Sequence, residues 1–178
     1  MKTLKLGKDD FKKRENSYLS DYIGAENIAD FDGHLEIEGD LGWVFFESVK
    51  VAGSLGIKAG SGIKAGWGIE AGEGIKAGWG IKAGSGIKAG SGIEAGEGIE
   101  AGWGIEAGEG IEAGWGIKAG FSIHCKLSLK ANLRIFAGLC MWRFPYPEER
   151  EIVCTELKSG TVAFGTLKLI EAPKKEGE

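Results

Sequence analysis

Between residues 56 and 139 apolar and charged letters alternate with a period of six. The stretch "GIKAGWGIEAGEGIKAGWGIKAGS" at 62–85 is four near-copies of Gly-Ile-[Lys/Glu]-Ala-Gly-x. Within a hexad Ile and Ala stand two apart with the charge between them, so an extended strand sends both to one face and the charge to the other. A helix needs apolar residues three and four apart, and two glycines per hexad would cost it roughly 2 kcal/mol. The pattern therefore predicts three-residue strands joined by Gly-x-Gly corners, where glycine accepts positive φ without steric penalty. One hexad cannot bury its isoleucine, but stacked hexads bury a continuous Ile/Ala column. The expected fold class is an all-β, single-stranded β-solenoid. Twelve consecutive hexads keep the isoleucine, from Ile57 to Ile123, each contributing about 1.5–3 kcal/mol before chain entropy.

The sixth letter is mostly Ser, Trp or Glu. No interior accepts a carboxylate and an indole interchangeably, so this position faces outward at the corner. Two windings fit. Trp67, Trp79, Trp103 and Trp115 are separated by 12, 24 and 12 residues, Trp43 lies 24 further back, and Glu73, Glu97 and Glu109 occupy only the alternate hexads. A 12-residue coil gives a flattened rod with a tryptophan edge and an acidic edge. An 18-residue coil gives a triangular rod with these residues spread over three corners. Duplication of a 12-residue unit would leave the same spacing in either case.

The flanks read as caps. In residues 1–34, Asp10 is placed to cap a short helix carrying Phe11, Tyr18, Leu19, Tyr22 and Ile23, with Gly24 as its stop. Residues 35–139 form the solenoid, with short alternating strands before the regular hexads at 56–121. In residues 140–178, two prolines in "MWRFPYPEER" break regular structure. "EIVCTELKSGTVAFGTLKLIE" then reads as a hairpin turning at Ser159-Gly160, and the tail "APKKEGE" as frayed. "TLKL" occurs at 3–6 and again at 166–169, which suggests similar edge-strand roles. Both flanks are long enough to cover the end coils.

The hexads resemble those of the hexapeptide-repeat β-solenoids, and "EIEGDLGW" with "VKVAGSLGI" is similar to the coils of polymer-forming bactofilins. The resemblance covers roughly residues 35–139 and implies architecture, together with a capacity for self-assembly. In the left-handed acyltransferase solenoids the small residue lies two before the aliphatic one, whereas here Ala lies two after it.

Composition narrows the function. The 178 residues carry a net charge of −4, which gives no global attraction to nucleic acid or anionic membrane. Cys125, Cys140 and Cys154 are odd in number, widely spaced and without a CxxC pair. That argues against a disulfide framework or zinc site and for a reducing compartment. With no apolar leader region, a cytoplasmic protein is expected. Motifs for dinucleotide, phosphate, metalloprotease or hydrolase chemistry are missing. His124 takes an outward charge position and Cys125 an inward alanine position, so neither reads as catalytic. No enzyme activity, cofactor or metal is expected.

Surface residues remain. Residues 56–91 carry Lys58, Lys64, Lys76, Lys82 and Lys88 against Glu70 and Glu73, a sum of +3. Residues 92–115 carry Glu94, Glu97, Glu100, Glu106, Glu109 and Glu112, a sum of −6. These charges and the four corner tryptophans are the candidate binding residues on a rod read as basic early and acidic late. The expected function is non-catalytic recognition of a protein partner by a monomer or dimer. Its most concrete form is a phage or mobile-element inhibitor of a nucleic-acid-processing enzyme such as a CRISPR effector nuclease, with the lysine half available to nucleic acid. The alternatives are a bactofilin-like self-assembling scaffold and, behind it, an acyltransferase-like enzyme using His124.

Overall fold

The computed structural model describes residues 1–58 and 60–173. The hexads wind at about 18 residues per coil through about seven turns. Ile75–Ala77 pairs in parallel with Ile93–Ala95, and that strand with Ile111–Ala113, forming face A. Ile81–Ala83, Ile99–Ala101 and Ile117–Ala119 stack likewise as face B. Ile69–Ala71, Ile87–Ala89 and Ile105–Ala107 form face C. The winding is triangular, and the flattened 12-residue coil is not formed.

Strict repetition makes each rung superpose on its own copy, Ile on Ile and Ala on Ala. From Ile63 to Ala119 every one of these inward side chains is at most 7% exposed. Alanine at the second inward position keeps the prism narrow enough for three isoleucines per turn to meet in its middle.

The corners work differently from the expectation. Among the described residues positive φ occurs only outside the regular hexads, at Asn16 and at Gly39, Gly42, Gly60, Gly138, Gly160 and Gly165. The fifth-position glycine is required by close approach instead: a Cβ on Gly102 would run into the carbonyl oxygen of Gly84 one turn away, and one on Gly108 into that of Gly90. The first-position glycine is looser, since a Cβ on Gly104 would stand 3.3 Å from the Ser122 carbonyl oxygen.

The first hexad is out of register. Leu55 pairs with Ile75 and Ile57 with Ala77, so Ile57 fills an alanine slot. Lys58 and Gly60, the latter at φ +84°, lie in a longer corner, and the regular hexads begin at Gly62. Ala59, expected to point inward, lies outside the described residues. Earlier turns are longer too: Leu35 pairs with Leu55 and Val49 with Ile69, both 20 apart.

The flanks extend the solenoid. Instead of a helix, Phe11–Lys13 and Leu19–Tyr22 form an antiparallel hairpin, whose second strand runs parallel to Gly42–Phe46 on face B. The extended form brings Phe11 and Tyr22 over Phe46, with ring centroids 5.8 and 5.2 Å away, and lets Arg14 Nε donate to both carboxylate oxygens of Asp21. The expected hairpin at Ser159-Gly160 is also absent. Glu156–Phe164 pairs in parallel with Ser128–Ala137, and Thr166–Leu169 with Glu151–Cys154. Gly160 and Gly165, at φ +108° and +109°, sit where the chain passes from face A to B and from B to C. The two "TLKL" segments are both outermost strands, one at each end. Of the tail, residues 174–178 lie outside the described residues.

Candidate binding surface

From Trp67 to Leu133 each sixth-position N–H donates to the corner carbonyl one turn before it, at 2.7–3.2 Å, so the corners form three continuous edges. The AB edge reads Ser61, Trp79, Glu97, Trp115, Leu133. The BC edge reads Glu47, Trp67, Ser85, Trp103, Phe121. The CA edge reads Glu73, Ser91, Glu109, Leu127. The tryptophans thus occupy two edges rather than one, always two turns apart with Ser or Glu between. At roughly 4.8 Å per turn this is too far for ring-to-ring packing. Trp67, Trp103 and Trp115 are 68%, 52% and 57% exposed, while Trp79 is half-buried.

Trp43 does not continue this series. It pairs with Gly62 on face B, and the sixth-position slot of its turn belongs to Glu47. Its ring lies against Gly62 and Gly80, with Lys82 Nζ 5.2 Å from the ring centroid. This indole covers bare glycine backbone; the exposed corner indoles project from the edges.

Above the BC edge the chain leaves face B at Ala137 and returns to face C at Glu151. This excursion carries a second set of rings. Trp142 meets Phe121 edge-on at 6.4 Å. The Arg143 guanidinium lies 4.8 Å from the Phe121 centroid and 5.5 Å from that of Tyr146. Both its terminal nitrogens donate to Glu149, at 2.6 and 2.7 Å, and Glu149 also accepts the Tyr146 N–H at 2.8 Å. The Arg143 fork, with that backbone bond, holds the Glu149 carboxyl down at about 2. Pro145 is buried beneath, while Met141, Trp142, Phe144 and Tyr146 stand out at 94%, 63%, 78% and 68% exposure. Sequence reasoning took this segment only as a break. The available signal was its density of aromatics around an arginine, the composition of interface centres.

The charges are less polarised than their order along the chain implies. Lys76, Lys82 and Lys88 form one turn, and Glu94, Glu100 and Glu106 form the turn stacked on it, with separations of 2.9, 3.9 and 3.2 Å. Glu100 also accepts from Lys118 at 2.8 Å, which lowers its carboxyl pKa, and Glu112 from Lys130 at 2.6 Å. Lys58 reaches Glu38 at 3.2 Å. Lys64, Glu97 and Glu109 join no ion pair among the described residues. Glu73 lies 3.7 Å from His34 Nδ1, an atom that accepts the Ser54 N–H. The binding residues read from sequence therefore do not converge: they are distributed over three faces and three edges.

His124 faces outward on face C beside Glu106, and Cys125 points inward, its thiol pushed up to about 12 chiefly by burial. Among the described residues no three His, Cys, Asp or Glu side chains gather closely enough to hold a metal. Comparison of the chain with family models, curated proteins and solved structures finds no match.

Proposed function

We propose that this chain is a non-catalytic recognition rod that engages a protein partner through the BC edge and the aromatic excursion above it. The observation that carries this reading is the excursion itself. Four large side chains stand out from a segment fastened by the Arg143–Glu149 fork and buried Pro145, and continue into Phe121, Trp103 and Trp67 below. Aromatic rings on a pre-ordered support lose little entropy on binding, and such anchors dominate interface energetics. In its most specific form the partner is a nucleic-acid-processing enzyme, such as a CRISPR effector nuclease, which the rod inhibits. The acidic CA edge supports that form through Glu73 and Glu109, because most of the face glutamates are engaged by lysines. Direct contact with nucleic acid would use face B, where Lys64, Lys82 and Lys118 point outward.

The test is affinity capture from host lysate, with and without nuclease treatment. The bait is the wild-type chain or its Trp103→Ser/Trp142→Ser/Phe144→Ser variant. A partner held through the aromatic edge survives nuclease and is lost by the variant, with binding at least ~100-fold weaker and an unchanged far-UV spectrum. Undiminished capture by the variant would refute the aromatic site. Capture abolished by nuclease would shift the reading to the face B lysines.

A further inference from the structure

The two ends of the rod are finished differently. At the amino end the inward side chains Leu6, Ile28 and Phe31 are buried, and Phe11 and Tyr22 close over Phe46. The outermost strand on face B is Phe11–Lys13, which carries Lys12 and Lys13. Such charges deter pairing along a free edge.

The last turn at the carboxyl end consists of Glu156–Phe164 and Thr166–Leu169, each paired on one side only. Leu157, Val162, Leu167 and Leu169 continue the inward columns of Leu129, Ile135, Ile152 and Cys154. Those four are fully buried, yet Leu167 and Leu169 are 37% and 61% exposed, followed by Ile170 at 37%. Among the described residues the core cross-section is therefore uncovered, rimmed on all three faces by strand edges paired on one side only. The rim sequence "TVAFGTLKLI" at 161–170 has one charge, Lys168.

We infer that a second copy of this chain covers this end, the two rods meeting carboxyl end to carboxyl end about a two-fold axis. Three free edges in a triangular rim are all paired together only by another triangular turn, and an isologous contact supplies one. Glu156 and Glu171 offset Lys158 and Lys168, so residues 156–171 carry no net charge to oppose the approach of an identical end. Lys2, Lys5, Lys12 and Lys13 on the amino-end edge strands oppose the head-to-tail route, so association stops at the dimer. The BC edge stays free on both rods, and this inference does not depend on what that edge binds.

Sedimentation equilibrium of the full chain is expected to show a species of twice 18.9 kDa whose mass does not grow with concentration. Leu167→Lys/Leu169→Lys puts like charges at the centre of the contact and is expected to weaken association at least ~100-fold with the far-UV spectrum unchanged. The Trp103→Ser/Trp142→Ser/Phe144→Ser variant stays dimeric. Should the lysine variant fail to fold, Thr166→Cys in a Cys140→Ser background decides the matter. A flexible bis-maleimide that spans the rim cross-links that protein into dimers, whereas Lys12→Cys in the same background stays uncross-linked. A monomeric wild type, a folded lysine variant that still dimerises, polymers growing with concentration, or cross-linking through position 12 would each overturn the inference. So would a wild type that associates only after removal of residues 172–178, since the tail would then be the cover.

Discussion

Gly102 and Gly104 flank Trp103 at one corner, and neither has positive φ, yet the structure assigns them opposite tolerance to a methyl group. At Gly102 the added Cβ meets a backbone carbonyl, that of Gly84. The obstacle is held in place by the stack on both sides, because Gly84 N–H donates to Ala65 O at 3.1 Å and Gly102 N–H to Ala83 O at 3.0 Å. Overpacking of this kind costs about 1–3 kcal/mol, and an immovable backbone obstacle places Gly102→Ala near the upper figure. At Gly104 the contact is 3.3 Å to Ser122 O, a matter of tenths of an ångström. Reduced entropy of the unfolded chain offsets it by about 0.4–1 kcal/mol, so Gly104→Ala is expected close to wild type. For a chain of this length each kcal/mol moves the melting temperature by about 2–4 °C. Gly102→Ala should therefore melt about 6–12 °C early and Gly104→Ala within about 2 °C of wild type, followed by far-UV circular dichroism and checked by guanidinium titration. Equal losses at the two sites, or none at Gly102, would refute the close-approach account of the corner. The degenerate hexads already point the same way: Ser122 stands at a first position with the ladder intact. At the fifth-position Asn132, the N–H donates instead to Trp115 O.

Further outcomes follow from the ion pairs and thiols. Lys118→Ala should let the Glu100 carboxyl pKa rise toward its ordinary value, read by NMR titration, with a stability loss under about 1 kcal/mol because the pair is solvent-screened. A lowered native pKa means that the Glu100 contribution is present above the ordinary carboxylate range and disappears as pH falls through the native value. Wild type should thus lose more stability than Lys118→Ala on acidification. By the same sign the Arg143–Glu149 fork persists to about pH 2, and Glu149→Gln should speed hydrogen exchange at Trp142–Tyr146 without lowering the global melting point. In the folded protein a thiol reagent at mildly alkaline pH should titrate Cys140 alone, because Cys125 and Cys154 are buried with their thiol pKa values raised. Rapid native-state modification of Cys125 would contradict its inward placement.

From Gly62 onward the direction of the regular hexad side chains was legible from Ile-x-Ala alternation, because that pattern reports which side is dry. The corner Ser61, expected outward, is instead buried and donates to Gly39 O. The number of hexads per turn was not. All hexads present the same inward pair, so the core is indifferent to which one lies above which. The 12-residue spacing of the tryptophans was real but misleading. Wound in threes, it places Trp67 and Trp103 on one edge and Trp79 and Trp115 on another. Asp10 suggested a helix start, but Phe11 and Tyr22 gain more by facing Phe46 across extended strands. Of the candidate site, the corner indoles were readable as outward. The ring cluster at 141–146 was not, since its order depends on Glu149 gripping Arg143 across six residues with no periodic signature.

Because every side of the prism is built from the same three letters, the chain can gain or lose a single hexad and still close its interior. The outside obeys a different rule. Six added residues would rotate everything downstream onto the next side, setting Lys76 beneath a residue other than Glu94 and moving each indole to a new corner. Only steps of eighteen residues, one full storey, return every surface letter to its own wall. The scaffold and its decoration therefore have different units of inheritance, and a descendant of this chain that is one hexad longer would share its frame while displaying a wholly rearranged exterior.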